Sequence, residues 1–176
     1  MPNWCDNTIN IRGPVDLISK LWEDAQVASQ GDFGLLQAMV PMPAELNYTK
    51  GLGDGPNWYD WRVDNWGTKW DIDADDLELV DNENGTAVIT GCFRSAWAPP
   101  VRAYENFFDM MTDCSIDASY HEPGMDFAGY WSDGNEEHLD GLRDEYELPE
   151  AERSPLFNRL DEQYDLCEAF AMWDEE

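Results

Sequence analysis

The start of the chain decides the fold, and residues 3–14 read NWCDNTINIRGP. Between Cys5 and Ile11 the odd positions hold Cys, Asn, Ile and Ile, and the even positions hold Asp, Thr and Asn. This period of two is typical of a β-strand with one buried face, so we predict a strand over residues 3–12. The Gly-Pro pair that follows ends the strand, and its proline suits the first position of a helix.

A helix is predicted from Pro14 to Gly31, because apolar residues recur between them at intervals of three and four. These residues are Leu17, Ile18, Leu21, Trp22, Ala25 and Ala28. From residue 31 to about residue 75 the chain is predicted to be an irregular insertion. An insertion of this length with little regular structure is more often functional than idle.

Four further strands and a second helix follow. Residues 77–80 and 86–94 flank an Asn-Gly pair, which is a strong signal for an antiparallel hairpin. Pro99-Pro100 begins an amphipathic helix, and residues 115–121 and 126–131 have the composition of strands. The order β-α-insertion-β-β-α-β-β predicts an α+β protein whose first six elements match the ferredoxin-like split βαβ fold. That fold is an antiparallel sheet with two helices on one face.

The composition changes after residue 132. Residues 133–176 carry 16 acidic residues and three Arg, with two helical patterns separated by Pro149 and Pro155. The second pattern is predicted to run as one helix with an apolar stripe, formed by Leu156, Leu160, Tyr164, Cys167 and Ala171. We therefore predict a ferredoxin-like domain over residues 1–132 and an acidic helical extension over residues 133–176 that packs on it.

Several segments of the first 132 residues are shared with a known family. They are MPNWCDN at 1–7, NWGTKWD at 65–71, FRSAWAPP at 93–100, YHE at 120–122 and DFAG at 126–129. As a set they resemble the YubB-type ferredoxin-like domain of plasmid- and phage-encoded proteins. The resemblance implies the fold and an origin in a bacterial mobile element. It implies no reaction, because the family is largely uncharacterised, and the acidic extension lies outside it.

The net charge excludes several classes of function. The chain has 38 Asp and Glu against 10 Lys and Arg, a net charge of −28. A protein that binds nucleic-acid phosphate or an anionic membrane must supply positive charge, so we expect neither as a direct partner. Nine Trp, seven Phe and seven Tyr supply the ring surface for a compact core despite this charge.

The expected compartment is the cytoplasm of a bacterial host. The first residues lack the basic and apolar regions of a secretory signal, and no window of the sequence reaches the length of a membrane span. The cysteines are widely spaced, and we predict buried free thiols rather than disulfides. They are Cys5, Cys92, Cys114 and Cys167.

The chain has two dense acidic stretches, residues 71–83 and 136–152, and these lead to the first functional hypothesis. DNA presents about one negative charge per 1.7 Å of its axis, and a protein covered with carboxylates offers a similar field. We expect a non-enzymatic phage or plasmid protein that binds a basic surface of a host protein engaging DNA or RNA. It would act as a DNA-mimic-like inhibitor, in anti-restriction or another anti-defence role. The predicted contact residues are Asp73, Asp75, Asp76, Glu78, Asp161, Asp165 and Glu168. Solubility alone also explains such a charge, and both interpretations stay open.

A small-ligand-binding domain or enzyme is the alternative hypothesis. The insertion and the segment after the hairpin supply candidates for a pocket with an aromatic wall and two polar groups. The candidates are Trp66, Lys69, Trp70, Asp71 and Trp97. The other interpretation of the same residues is structural: the Trp rings close the edge of the core and Lys69 forms an ion pair.

We predict no metal site, cofactor or catalytic residue. Residues 71–75 read DIDAD, which resembles the start of an EF-hand calcium loop, but the positions required to be Gly and Glu hold Asp76 and Asn82. His121 and His138 lack the paired spacing of a zinc site. The chain is expected to be a monomer or a small homo-oligomer, the latter through a sheet edge.

Overall fold

The strand predicted at the start of the chain lies at the centre of a six-stranded sheet. This is seen in a computed structural model, which describes residues 2–51 and 55–174. The strands are β1 (Trp4–Pro14), β2 (Leu77–Asp81), β3 (Thr86–Ala96), β4 (Ser115–Glu122), β5 (Phe127–Ser132) and β6 (Asn135–Asp140). Their order across the sheet is β2-β3-β1-β4-β5-β6, and every neighbouring pair is antiparallel.

Helices and short 3-10 turns connect and cover these strands. The helices are α1 (Val15–Ala28), α2 (Leu35–Met39), α3 (Trp58–Trp66), α4 (Val101–Met110), α5 (Leu142–Glu147), α6 (Pro155–Tyr164) and α7 (Leu166–Asp174). The 3-10 turns are Ala44–Tyr48, Ala74–Asp76 and Glu150–Glu152. The protein is therefore a mixed α and β structure around an antiparallel sheet. None of its described helices is both long enough and apolar enough to cross a membrane.

Helices α1 and α4 pack on one face of the sheet and share its larger core. Ile9 and Ile11 of β1 lie in one buried cluster with Ile18 of α1. Tyr104 of α4 belongs to the same cluster, and its ring centroid is 5.7 Å from that of Trp131 on β5. Fully burying one such side chain stabilises the fold by about 1.5–3 kcal/mol. The alternation seen in residues 5–11 thus directs one face of β1 into this core.

The insertion contains more regular structure than the sequence predicted. Helices α2 and α3 lie in the region expected to be irregular, and α2 buries Leu35 and Leu36 in the larger core. Helix α3 begins at Asn57, whose side chain accepts a hydrogen bond from the N–H of Asp60 at 2.9 Å, and it ends at Gly67 with φ of 85°. These are ordinary capping residues. Trp and polar residues are mixed between these two caps, so the sequence shows no clear helical spacing of apolar residues there.

The acidic extension was predicted to be helical throughout, and this is wrong at two points. Residues Asn135–Asp140 form β6, which pairs with β5 and continues the sheet beyond residue 132. The last predicted helix is two helices, because Asp165 has φ of 52° and ends α6 before α7 begins. A left-handed residue cannot continue a right-handed helix.

The extension has its own hydrophobic core on the second face of the sheet. Phe157 and Leu160 of α6 and Phe170 of α7 pack with Ala128 of β5. Ala128 and Tyr130 of β5 belong to this second cluster, whereas Trp131 belongs to the larger core, because successive side chains of a strand point to opposite faces. The sheet is therefore covered by α1 and α4 on one face and, over β4 and β5, by the extension on the other.

Tyr120 and Gly129 attach β6 to the rest of the sheet. The two residues are opposite each other on β4 and β5, and a Cβ on Gly129 would lie 2.4 Å from the Tyr120 hydroxyl oxygen. The missing side chain lets the phenol ring cross β5 and donate a hydrogen bond to Glu136 of β6 at 2.6 Å. Glycine at this position is a packing requirement.

Gly129→Ala should therefore lower the free energy of unfolding by about 1–3 kcal/mol, because the ring has to move. Chemical denaturation measures this change. Gly31→Ala is the matched control, since its Cβ would meet no atom closer than 3.7 Å. Equal stability of the two variants would contradict the packing role of Gly129.

Candidate functional site

One half of the second sheet face is open. Trp4, Asp6 and Thr8 of β1 point toward this face, because the buried residues Cys5 and Asn7 alternate with them and lie on the same side of the strand as Ile9 and Ile11 of the larger core. Over β4 and β5 the face is closed by α6, whose Tyr164 hydroxyl lies 2.9 Å from the Ser119 hydroxyl. Over β1, β3 and β2 no helix of the described residues covers it. We call this region the open face.

A concavity of about 670 Å³ lies on the open face. The strands provide Trp4, Asp6, Thr8, Cys92 and Arg94, the turn before β2 provides Asp76, and the junction of α6 and α7 provides Gln163, Tyr164 and Asp165. Among the side chains that line it are three carboxylates and one guanidinium. The concavity thus has acidic residues at its rim, and the strands beneath it contribute both a carboxylate and a guanidinium.

The structure brings together predicted contact residues that are far apart in the sequence. Asp76, just before β2, and Asp165, in the acidic extension, line the same concavity. Glu78 is exposed and points toward the open face, because its neighbour Leu77 is buried in the larger core. This convergence depends on the path of α6, which ends beside β1 and β3.

The other predicted contact residues lie elsewhere or have structural roles. Asp73 and Asp75 are exposed on the 3-10 turn before β2, where the Asp73 side chain accepts a hydrogen bond from the N–H of Asp75. Glu168 is exposed on α7. Asp161 is half-buried and accepts a hydrogen bond from the N–H of Cys167 at 2.7 Å, so it caps α7. The Asp161 carboxylate is therefore used within the fold and is not a free acidic group for a partner.

The predicted aromatic pocket does not form as expected. Trp66 is fully buried in the larger core, and its indole N–H donates to the carbonyl of Val40 at 2.9 Å. Trp97 is 51% exposed at the end of β3, with φ of 73°. A left-handed conformation is unusual for so bulky a residue. Neither ring shares a pocket wall with Trp70 in the described structure.

Lys69 and Trp70 form part of a row of stacked cations and rings beside the open face. The Lys69 ammonium is 4.9 Å from the centroid of the Trp70 ring, which is 5.8 Å from the centroid of Trp4. The guanidinium carbon of Arg94 is 5.6 Å from the centroid of the Trp4 ring. Lys69 forms no ion pair within the described residues, so the expected structural ion pair is not observed there. Its charge is stabilised by aromatic faces instead.

Asp71 holds the start of α2 in place. Its two carboxylate oxygens accept hydrogen bonds from the N–H groups of Gly34, Leu36, Gln37 and Ile72, at 2.7–3.1 Å. Burial raises the pKa of Asp71, and these N–H groups oppose that rise. With four donors on its oxygens, Asp71 is a structural residue of the insertion.

A polar cluster at the β4–β5–β6 edge was not anticipated. The Tyr120 hydroxyl lies 2.6 Å from Glu136 Oε1 and 2.9 Å from His138 Nδ1, and His138 Nε2 lies 3.1 Å from Asp140. Burial, followed by the neighbouring Glu136, raises the pKa of Tyr120. A concavity of about 330 Å³ adjoins the cluster. The alternation of Glu136, His138 and Asp140 on one strand was the available signal.

The cysteines are all free, and three of them are at least partly buried as predicted. Cys92 is the exception: it is exposed and lines the concavity of the open face. Among the described residues there is no group of three or more His, Cys, Asp or Glu side chains arranged to hold a metal ion.

Comparison with known proteins gives little similarity. No family model matches the chain, and no curated protein is similar to it. Among solved structures the chain is similar to the protein api92 from Yersinia pseudotuberculosis, described as belonging to family model DUF1281, with 14% sequence identity and a TM-score of 0.43. The superposition covers 61% of this chain and 40% of api92, so the chain spans less than half the length of that protein.

Asp71→Asn should destabilise the protein by about 1–3 kcal/mol, because an amide NH₂ would face N–H donors that now lie against a carboxylate oxygen. Thermal or chemical unfolding measures the change. Asp75→Asn removes the same charge at an exposed site and should be nearly neutral. The structural role of Asp71 would be contradicted if both variants were equally stable.

His121 should make the packing of α6 sensitive to acid. Its ring centroid is 5.4 Å from that of Tyr164, and burial lowers the pKa of His121 against the opposing effect of Asp6 and Asp126. The unfolded chain, with a His pKa of about 6.5, takes up a proton that the folded protein resists. The stability that neutral His121 contributes is therefore present above about pH 6.5 and is lost as the pH falls through the folded pKa.

The measurement is the free energy of unfolding of the wild type minus that of His121→Gln, between pH 7.5 and 5. Using the difference cancels the titration of the many carboxylates. The difference should fall with the pH, and a difference independent of pH would contradict the burial of this imidazole.

Proposed function

We propose that the protein is a non-enzymatic binding module that docks a basic surface of a partner protein on its open face. The observation that carries this proposal is the convergence of Asp6, Asp76 and Asp165 around one concavity, with Glu78 beside it. Arg94 is the one cation that lines the same space in the part of the chain that the structure describes. A partner surface rich in Lys and Arg is the complement of this arrangement.

The charge balance supports a basic partner. The ion pairs that Lys and Arg form among the described residues engage only six carboxylates, out of 38 Asp and Glu in the chain. The remaining carboxylates give the surface a negative field. Such a field increases the rate at which a basic partner associates, and salt weakens it over a Debye length of about 8 Å at physiological ionic strength.

A protein that engages DNA or RNA is the partner class that this field favours. Its nucleic-acid site is already complementary to a dense row of negative charges. Exposed Trp4 and the partly exposed Tyr164 add ring surface to the acidic rim, and aromatic residues are enriched at protein interfaces. Competition with nucleic acid would make the protein an inhibitor, and the expected phage or plasmid origin would make anti-restriction or another anti-defence activity its role.

The scaffold of this module is proposed to be a ferredoxin-like split βαβ unit. The order β2-β3-β1-β4 and the position of α1 and α4 on a shared core support this assignment. In such a unit the face opposite the helices is free for binding. The extension covers the β4 and β5 part of that face and leaves the open face accessible.

Two variants of equal charge test the proposal. The first combines Asp76→Asn, Glu78→Gln and Asp165→Asn on the open face. The second combines Asp109→Asn, Glu150→Gln and Glu152→Gln, which change exposed residues that do not line the concavity. Each changes the net charge by the same amount, −28 + 3 = −25. A role of bulk charge predicts the same loss of binding in both.

The tagged wild type is used to capture partners from a bacterial lysate, and the affinity of each purified partner is then measured at low and high salt. The open-face variant should bind at least about tenfold more weakly, or about 1.4 kcal/mol, while the control stays within about threefold. Duplex DNA or RNA should compete with the wild type. Equal losses in both variants, binding that ignores salt, or no competition by nucleic acid would contradict the proposal.

A further inference from the structure

Arg62 of α3 is held among aromatic rings rather than beside a carboxylate. Its guanidinium carbon lies 4.9 Å from the ring centroid of Trp66, 5.1 Å from that of Trp58 and 5.4 Å from that of Phe33. The side chain is half-buried. Stacking of a guanidinium on these rings fixes its position within the insertion.

The hydrogen-bonding capacity of Arg62 is largely unused. Within the described residues its one hydrogen bond is long, 3.4 Å from Nη1 to the carbonyl of Lys69. Its Nε is buried and has no partner among the described residues, and leaving a buried donor unsatisfied costs about 1–3 kcal/mol. A guanidinium has five N–H donors, of which the Nη groups carry four. A ligand beside Arg62 would accept hydrogen bonds from the Nη groups, because the buried Nε is out of its reach.

The nearby carboxylates do not neutralise Arg62. Asp71 is occupied by its four backbone N–H donors, and Asp32 forms no ion pair with Arg62 at 4.0 Å or less. Burial lowers the pKa of Arg62, although an arginine stays protonated at any physiological pH. Among the described residues this half-buried cation therefore has no carboxylate within 4.0 Å, although Asp71 and Asp32 attract it from farther away.

Two adjoining concavities, of about 260 and 410 Å³, meet at Arg62. Both are also lined by Asp32, Phe33 and Trp70, and the larger one by Trp58. Trp70 is 38% exposed, so part of its indole is available to a ligand. The space therefore combines ring surface with one unpaired guanidinium, a combination that suits a planar molecule carrying a negative charge.

We propose that these concavities form a binding site for a small aromatic monocarboxylate. The carboxylate accepts hydrogen bonds from Arg62, and the ring lies against Trp58 and Trp70. A single negative charge is specified because Asp32, Asp71 and Asp73 also line the smaller concavity and repel an anion in proportion to its charge, so a phosphate or a polyanion is disfavoured more than a monocarboxylate. The proposal is independent of protein docking on the open face, although Trp70 contacts Trp4 there.

Benzoate is the probe, and benzamide is its uncharged counterpart. Binding is followed by tryptophan fluorescence and by the Nε–H signal of Arg62 in ¹⁵N-labelled protein. We expect saturable binding of benzoate with a dissociation constant of about 1 mM or lower, and at least about tenfold weaker binding of benzamide. Inorganic phosphate and adenosine monophosphate should bind more weakly than benzoate.

Three variants assign the site. Arg62→Gln should weaken benzoate binding at least about tenfold, and Trp70→Leu, which changes a partly exposed ring, should weaken it if Arg62→Gln does not fold. Arg102→Gln removes the same charge from an exposed ion pair with Glu105 and should leave binding unchanged. Absence of saturable benzoate binding, equal binding of benzamide, tighter binding of phosphate or the nucleotide, or an unshifted Arg62 signal at saturation would overturn the proposal. So would unchanged affinity in Arg62→Gln or Trp70→Leu.

Discussion

The scarcity of positive charge is the constraint on which the rest of the structure depends. The chain has ten Lys and Arg against 38 Asp and Glu. Some of them join elements that would otherwise repel each other: Arg143 of α5 pairs with Asp174 of α7, and Arg159 of α6 pairs with Glu137 of β6 at 2.6 Å. Exposed pairs of this kind contribute about 0–1 kcal/mol each. The stability must therefore come from the two hydrophobic cores, and most carboxylates remain available on the surface.

Several cations that have no ion pair among the described residues lie on aromatic rings. Arg62, Lys69 and Arg94 each stack on at least one Trp, within the insertion or at the start of β1. The high Trp content thus has two uses: it fills the larger core, and it stabilises cations that are held next to concavities. The molecule therefore has two separate candidate binding regions. One is the acidic open face, suited to a basic protein, and the other is the aromatic pocket around Arg62, suited to a small anion.

The sequence predicted most of the fold because its signals were local. The alternation in β1, the Asn-Gly hairpin and the proline at the start of α1 each specify an element without tertiary information. Strand β6 was missed because five of its six side chains are exposed, so no apolar residues alternate along it. It is a strand because β5 offers a free edge and because Gly129 lets Tyr120 reach Glu136.

The candidate site was only partly predictable, since residue type does not reveal burial or direction. Asp76 and Asp165 were both expected to contact a partner, but only the fold places them at one concavity. Asp71 has the residue type of a catalytic or metal-binding group and instead accepts four backbone hydrogen bonds. Nothing in the sequence marks Arg62 as a binding residue. Its importance depends on its lack of close hydrogen-bond partners among the described residues and on rings that the fold places around it.

Docking on the open face is tested most directly by side-chain oxidation of the protein alone and in complex with its captured partner. Trp4 and Cys92 are exposed on the open face, and Met110, at the end of α4, is 58% exposed and does not line its concavity. A partner docked on the open face should slow the oxidation of Trp4 and Cys92 and leave that of Met110 unchanged. Protection of Met110 with no protection of Trp4 and Cys92 would contradict it.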